Sequence, residues 1–97
     1  MIQGFGDART EDIFHGNRTR RVRKLDQGLL RATIRKLDML NAAHALEDLR
    51  SPPGNRLEAL AGDLDGMHSI RVNRQWRIIF TWTAGGPDAV QLTDYHS

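Results

Sequence analysis

A chain of 97 residues with no cysteine, three prolines and 39% hydrophobic residues has room for one small domain with one core and one site, which excludes a multidomain enzyme. The lack of cysteine excludes a disulfide framework, a thiolate nucleophile and a zinc–thiolate cluster, so stability must come from packing. Net charge is only +2, from 14 basic and 12 acidic residues, yet Arg18, Arg20, Arg21, Arg23 and Lys24 fall in one short run without an acid. Arginine makes up nearly all of the basic complement, and its planar fork matches phosphate bidentately and stacks on bases, which points to a nucleic-acid partner.

In chain order, Met1 to Phe5 reads as a short strand that sets Ile2 and Phe5 against a core, punctuated by Gly4 and Gly6. Asp7 to Gly16 reads as a short helix, with Asp7 as N-cap and Gly16 as the left-handed stop. The strongest periodicity runs over residues 26–44, where Leu29, Leu30, Thr33, Ile34, Leu37, Leu40 and His44 share one face and Arg31, Arg35 and Asp38 the other. Asp26 can cap this helix, and Leu25 can staple to Leu30. Helical character persists towards Leu49 until Ser51-Pro52-Pro53-Gly54 stops it.

Beyond that point the period changes from 3.6 to 2. Four strands are expected, at about 57–60, 67–72, 76–82 and 89–95, with loops at 62–66, 73–75 and 84–88. Short turns make successive strands antiparallel neighbours. The fold class is therefore α+β: a short N-terminal strand, then two helices packed on one face of a mostly antiparallel sheet of about four to five strands. No apolar run approaches the length that spans a bilayer, and MIQGFGDARTEDIF lacks a basic region followed by an apolar stretch. The expectation is a cytoplasmic protein with no membrane partner.

Strand parity assigns the faces. Trp76, Ile78, Phe80 and Trp82 point one way, with Ile70, Val72, Val90 and Leu92, and should lie under the helices. The other face receives Ser69, Arg71, Arg77, Ile79, Thr81, Gln91, Thr93 and Tyr95, an open surface of hydroxyls, amides, guanidinium groups and a phenol. Such a surface suits RNA, which carries its own nucleophile in the ribose 2′-hydroxyl. A protein needs only to align that oxygen, move two protons and neutralise the phosphoryl oxygens. Arg71 and Arg77 can contact phosphate, Tyr95 can stack on a base, His96 can transfer a proton and Asp94 can orient it.

Taken singly these residues prove little. Arg77 taken alone reads more readily as a strand arginine paired with Glu58 or Asp94, Tyr95 more readily as a sheet-edge residue, and His96 equally as a frayed terminal side chain. The 18–24 run reads equally as a solvated basic loop. His15, His44 and His68 lack mutual metal-ligand spacing and receive no role; His44 is expected to pack on the helix face.

Read together, the motifs are more specific. Asn55-Arg-Leu-Glu-Ala-Leu-Ala-Gly-Asp63, Gly66-Met-His-Ser-Ile-Arg-Val-Asn73, Gln75-Trp-Arg-Ile-Ile-Phe80 and Asp94-Tyr-His96 resemble the HigB branch of the RelE-like toxins, including its GraT-type members. With Ile2 to Phe5, Phe14, the Arg20-Arg21 pair and Arg50-Ser-Pro-Pro-Gly54, the likeness covers essentially the whole chain. It implies a single RelE-like domain over residues 1–97 and a ribosome-dependent endoribonuclease of a bacterial toxin–antitoxin pair, cutting messenger RNA in the A site without metal or cofactor. By position, Arg77 matches the arginine that stabilises the scissile phosphate, and Asp94, Tyr95 and His96 match the terminal catalytic set. Some relatives carry a histidine and a lysine before the glycine that corresponds to Gly62, where this chain has Glu58 and Ala61; their duties would pass to groups such as Arg56, Arg71 or His96. Arg18, Arg20, Arg21, Arg23 and Lys24 are expected to dock ribosomal RNA, and Arg56, Arg71 and Arg74 are further expected to contact RNA or the ribosome. The implied partners are the 30S A site, the message and a HigA-like helix-turn-helix antitoxin. A ParE-like gyrase inhibitor and a noncatalytic RNA-binding module are the alternatives, separable by a supercoiling assay and by mapping message ends.

Overall fold

The structure is a computed structural model that describes residues 1–94; Tyr95 and His96 lie outside the described residues. Helix α1, Ala8–His15, is capped by the Asp7 carboxylate, which accepts from the Thr10 N–H at 2.8 Å, and ends at Gly16 with φ 75°. The basic segment, read from the sequence as a loop, contains a helical turn, α2, Arg20–Arg23. Val22, 1% exposed, anchors it in the core and leaves the cations around it outside. Helix α3, Gln27–Ala42, starts where Asp26 accepts from the Gly28 and Leu29 N–H groups.

Leu29, Leu30, Thr33, Leu37 and Leu40 are buried on the inner face of α3 as the periodicity predicts. Ile34 is 38% exposed at the edge of that face. His44 does not pack on the helix: α3 stops two residues earlier, and the exposed His44 and its neighbour Ala45 give their N–H groups to Asp48. Two 3₁₀ turns follow, Leu46–Arg50 and Pro53–Asn55. Fully buried Asn55 ties them together, donating to the Leu49 and Ser51 carbonyls while Lys36 donates to its side-chain oxygen.

The sheet comprises β1, Glu58–Ala59; β2, His68–Arg71; β3, Trp76–Thr83; and β4, Gly86–Asp94, antiparallel in the order β1-β2-β3-β4. The N-terminal segment runs parallel to β4, with Phe5 bridging Val90, Gln3 N–H donating to Pro87 and Gly6 N–H to Val90. Loop 84–88 is shorter than the sequence suggested, because β4 already begins at Gly86, where a Cβ would collide with the Met1 carbonyl. A bulge shifts the register from Ile79 opposite Gln91 to Thr81 opposite Asp88, and Ala89 absorbs it with φ 51°.

Ile70, Ile78, Phe80, Val90 and Leu92 all have at most 1% exposure and pack with Ile13, Val22, Leu30, Leu37 and Leu40. Helices therefore cover the sheet face that parity assigns to them. The opposite face departs from expectation: Ser69, Arg77 and Ile79 are buried, at 0%, 8% and 7%. Parity fixes which way a side chain leaves the strand, but Arg77 then folds back over the sheet instead of standing into solvent. Among the described residues no helix is long and apolar enough to cross a membrane.

Candidate phosphate-binding site

The site grows from the β2–β3 hairpin. Val72 and Asn73 N–H groups close on the Trp76 carbonyl, and the Asn73 side-chain oxygen accepts from the Gln75 and Trp76 N–H groups at 2.9 and 2.8 Å. An asparagine three residues before a strand can make this Asx-type closure, since its short side chain mimics the backbone. On the helix side, Arg9 donates to the Leu92 carbonyl at 3.2 Å and lies 5.2 Å over the Trp76 ring, which fixes the base of the hairpin against α1.

This hairpin sets Arg71 directly opposite Arg77. Two guanidinium groups facing each other across a ladder repel, and the arrangement is favourable only with anionic charge between or beside them. Arg77 Nη2 contacts the Glu58 carboxylate at 3.0 Å, while Nη1 donates to Ser69 Oγ at 2.7 Å and to the Arg56 carbonyl at 3.4 Å. Arg56 itself adopts φ 46° just after the second 3₁₀ turn, which aims its carbonyl at Arg77. Arg71 Nε donates to the Asn73 carbonyl at 3.0 Å. Together Arg56, Arg71, Asn73, Arg74 and Arg77 line a depression of about 310 Å³.

Four arginines around one shallow basin, with a half-exposed carboxylate at 3.0 Å from one of them, can receive a phosphodiester and neutralise charge that builds on its oxygens. Arg77 is held before any ligand arrives, so little reorganisation is needed. The sequence placed Arg71 and Arg77 on this face and named Arg56 and Arg74 as RNA-binding; the structure brings all four together. Asn73 and Ser69 went unassigned as site residues. Asn73 was legible only as a turn residue, and Ser69 only as one of several hydroxyls on the face.

Asp94 pairs with Trp76 in the β3–β4 ladder, and its exposed carboxylate accepts from Gln75 Nε2 at 2.9 Å, beside the basin rather than among its lining residues. Arg18, Arg20, Arg21, Arg23 and Lys24 are exposed on and around α2, and none of them lines the basin. Arg21 pairs with Asp12 at 3.5 Å, and Arg23 donates to the Arg18 carbonyl at 2.6 Å. His68 stacks on Phe80, and among the described residues no group of three or more His, Cys, Asp or Glu could hold a metal ion. The shifted pKa values lie away from the basin. Burial, then the neighbouring Arg35 charge, lowers Lys36, and the His44 and Ala45 N–H groups lower Asp48.

The family model described as "RelE-like toxin of type II toxin-antitoxin system HigB" matches residues 4–96. Toxin HigB-1 of Vibrio cholerae serotype O1 is 44% identical over 95 residues, which span 98% of this chain and 94% of that protein. An uncharacterised protein of Haemophilus influenzae is 44% identical over 59 residues, 61% of this chain and 58% of its own length. Among solved structures, the YoeB dimer from Staphylococcus aureus superposes with a TM-score of 0.60 at 21% identity, covering 99% of this chain and 95% of that one. At that identity the likeness speaks for the fold.

Proposed function

Because this chain belongs to the HigB family of RelE-like toxins of type II toxin–antitoxin systems, we propose that it is a ribosome-dependent endoribonuclease that cleaves messenger RNA in the A site. The observation that carries this reading is the basin in which Arg77, pinned by Glu58, Ser69 and Arg56, faces Arg71 across the ladder.

In the proposed reaction the 2′-hydroxyl attacks the adjacent phosphorus. The O2′–P bond forms, the P–O5′ bond breaks, one proton leaves the nucleophile and another reaches the departing 5′-oxygen. The products are a 2′,3′-cyclic phosphate and a 5′-hydroxyl end. Arg77 and Arg71 neutralise the phosphoryl oxygens, while Arg56 and Arg74 hold the strand. Metal is dispensable in this scheme because the nucleophile belongs to the substrate and guanidinium groups supply the positive charge.

By resemblance, Asp94, Tyr95 and His96 complete the machinery, with Tyr95 against a base and His96 in proton transfer. Glu58, where some relatives have histidine, orients Arg77 through their ion pair. The α2 cations dock ribosomal RNA, a division of labour between affinity and chemistry. A cognate helix-turn-helix antitoxin is the expected partner.

The test is cleavage-site mapping on programmed ribosomes with wild type and Arg77→Ala, Asp94→Ala, Tyr95→Ala and His96→Ala variants. New message ends in the A-site codon with wild type, lost or slowed in Arg77→Ala, support the reading. Ribosome binding without new ends would leave a noncatalytic module, and inhibited supercoiling with intact messages would leave a gyrase inhibitor.

A further inference from the structure

The outer edge of β4 is covered in two different ways. Alternate residues of a strand turn their backbone groups to the same edge. At Val90 the N-terminal segment meets both groups: the Val90 N–H donates to the Gly4 carbonyl at 3.1 Å, and the Val90 carbonyl accepts from the Gly6 N–H at 2.8 Å. At Leu92 side chains of α1 take over that task. The Leu92 N–H donates to Thr10 Oγ1 at 2.9 Å, and the Leu92 carbonyl accepts from Arg9 Nη2 at 3.2 Å. Asp94, where β4 ends, is the next residue of that parity.

Arg9 reaches both strands that carry this end of the ladder. Its guanidinium carbon lies 5.2 Å over the ring of Trp76, and Trp76 is the residue directly opposite Asp94. One side chain therefore joins α1 to the strand that bears Asp94 and to Asp94's partner across the ladder. The contact has a cost, because Arg9 Nε is buried and makes no hydrogen bond among the described residues. A methionine would cover Trp76 without burying a donor, so packing alone does not account for an arginine at this position.

We infer that Arg9 is a positioning residue for the cleavage step: by holding the Leu92 carbonyl and the Trp76 ring it fixes the end of β4, and so sets where Asp94, the first of the terminal catalytic set, is presented to the message. This rests on the nuclease reading above. Arg9 itself touches no substrate. Small displacements of reacting groups are expensive in rate, so loss of this clamp should slow cleavage about ten- to a hundredfold at saturating ribosome, with the half-saturating ribosome concentration unchanged.

Single-turnover cleavage on programmed ribosomes tests this with two substitutions of similar length. Arg9→Met keeps a cover over Trp76 but no donor for the Leu92 carbonyl, whereas Arg9→Lys keeps a donor and a cation. Rates are taken per folded molecule, with thermal melting supplying the folded fraction. Arg9→Met is expected to be slow and Arg9→Lys to recover most of the rate. Asp94→Ala completes a double-mutant cycle with Arg9→Met: if Arg9 acts through the end of β4, the double variant is slowed less than the product of the two single effects. Arg9→Met as fast as wild type, Arg9→Lys as slow as Arg9→Met, or multiplicative effects in the cycle would each overturn the inference while leaving the nuclease reading intact. So would a raised half-saturating concentration at an unchanged saturated rate, which assigns Arg9 to binding. A wild type that cuts no message would sink both.

Discussion

Around α2, Arg20, Arg21, Arg23 and Lys24 stand exposed about one buried anchor, Val22, 1% exposed, whereas on β3 Arg77 is only 8% exposed and is held by oxygens of Arg56, Glu58 and Ser69. The same residue type thus occurs in two physical states. An exposed, rotamer-rich cation attracts an anionic surface over a distance set by salt, at low structural cost. A pinned guanidinium has already lost its freedom and presents charge in a fixed direction, which is what a reacting phosphate needs. Two clusters of like charge would therefore fail differently.

The largest expected effect tests the pinned cluster. Arg77→Ala should slow cleavage by about 10²- to 10³-fold, the range seen when one preorganised transition-state donor is removed. Ribosome association, measured by co-sedimentation, should be nearly unchanged. A comparable loss of association would erase the distinction between the clusters.

Next comes the scaffold beneath the basin. Asn55→Ala leaves the Leu49 and Ser51 carbonyls and the Lys36 ammonium without their partner and should cost about 1–3 kcal/mol. Denaturant unfolding measures this directly. Because Asn55 adjoins Arg56, the folded fraction should also cleave more slowly; cleavage untouched in a destabilised variant would show that the basin does not depend on this loop.

Reversing Arg20 and Arg21 to glutamate should act on affinity alone. The slope of log binding constant against log salt should fall by about 2, about 1 for each phosphate no longer neutralised, while the cleavage rate at saturating ribosome stays close to wild type. A slope that does not change would remove the α2 region from the docking surface.

The smallest effect concerns the turn after α3. The His44 and Ala45 N–H groups hold the Asp48 carboxyl below its ordinary range. A depressed folded-state pKa adds stability that is present above the unfolded value and is lost as pH falls through the folded one. Asp48→Ala should therefore lower the melting temperature slightly near neutral pH, with the gap to wild type closing in acid. A gap independent of pH would show that the hydrogen bonds, and not the charge, matter there.

Local chemistry made the secondary structure legible. Asp7, Gly16 and Asp26 mark helix boundaries because capping is settled within a few residues, and alternation along β2, β3 and β4 named the core side correctly because the pleat has a strict period. Where the structure departs from that pattern, a competing local bond decided. His44 falls on the predicted apolar face but lies past the end of α3, where its N–H turns to Asp48. Hairpin β3–β4 is tighter than its glycines suggested because Met1 lies against Gly86. The basic run reads as a loop until one notices that Val22 can be buried.

By itself the sequence determined the layer order, the side of the sheet the helices cover, the family and the shared face of Arg71 and Arg77, since each of these rests on period, capping or motif spacing. Only the tertiary structure decided that Arg77 lies down on Ser69 and the Arg56 carbonyl instead of standing in solvent, and that Arg56 and Arg74 gather with Arg71 and Arg77 around one basin. The reason is range. Parity says from which face a side chain departs, but the oxygens that catch a long guanidinium come from two other stretches of chain, residues 56–58 and Ser69, and no local pattern records where they converge.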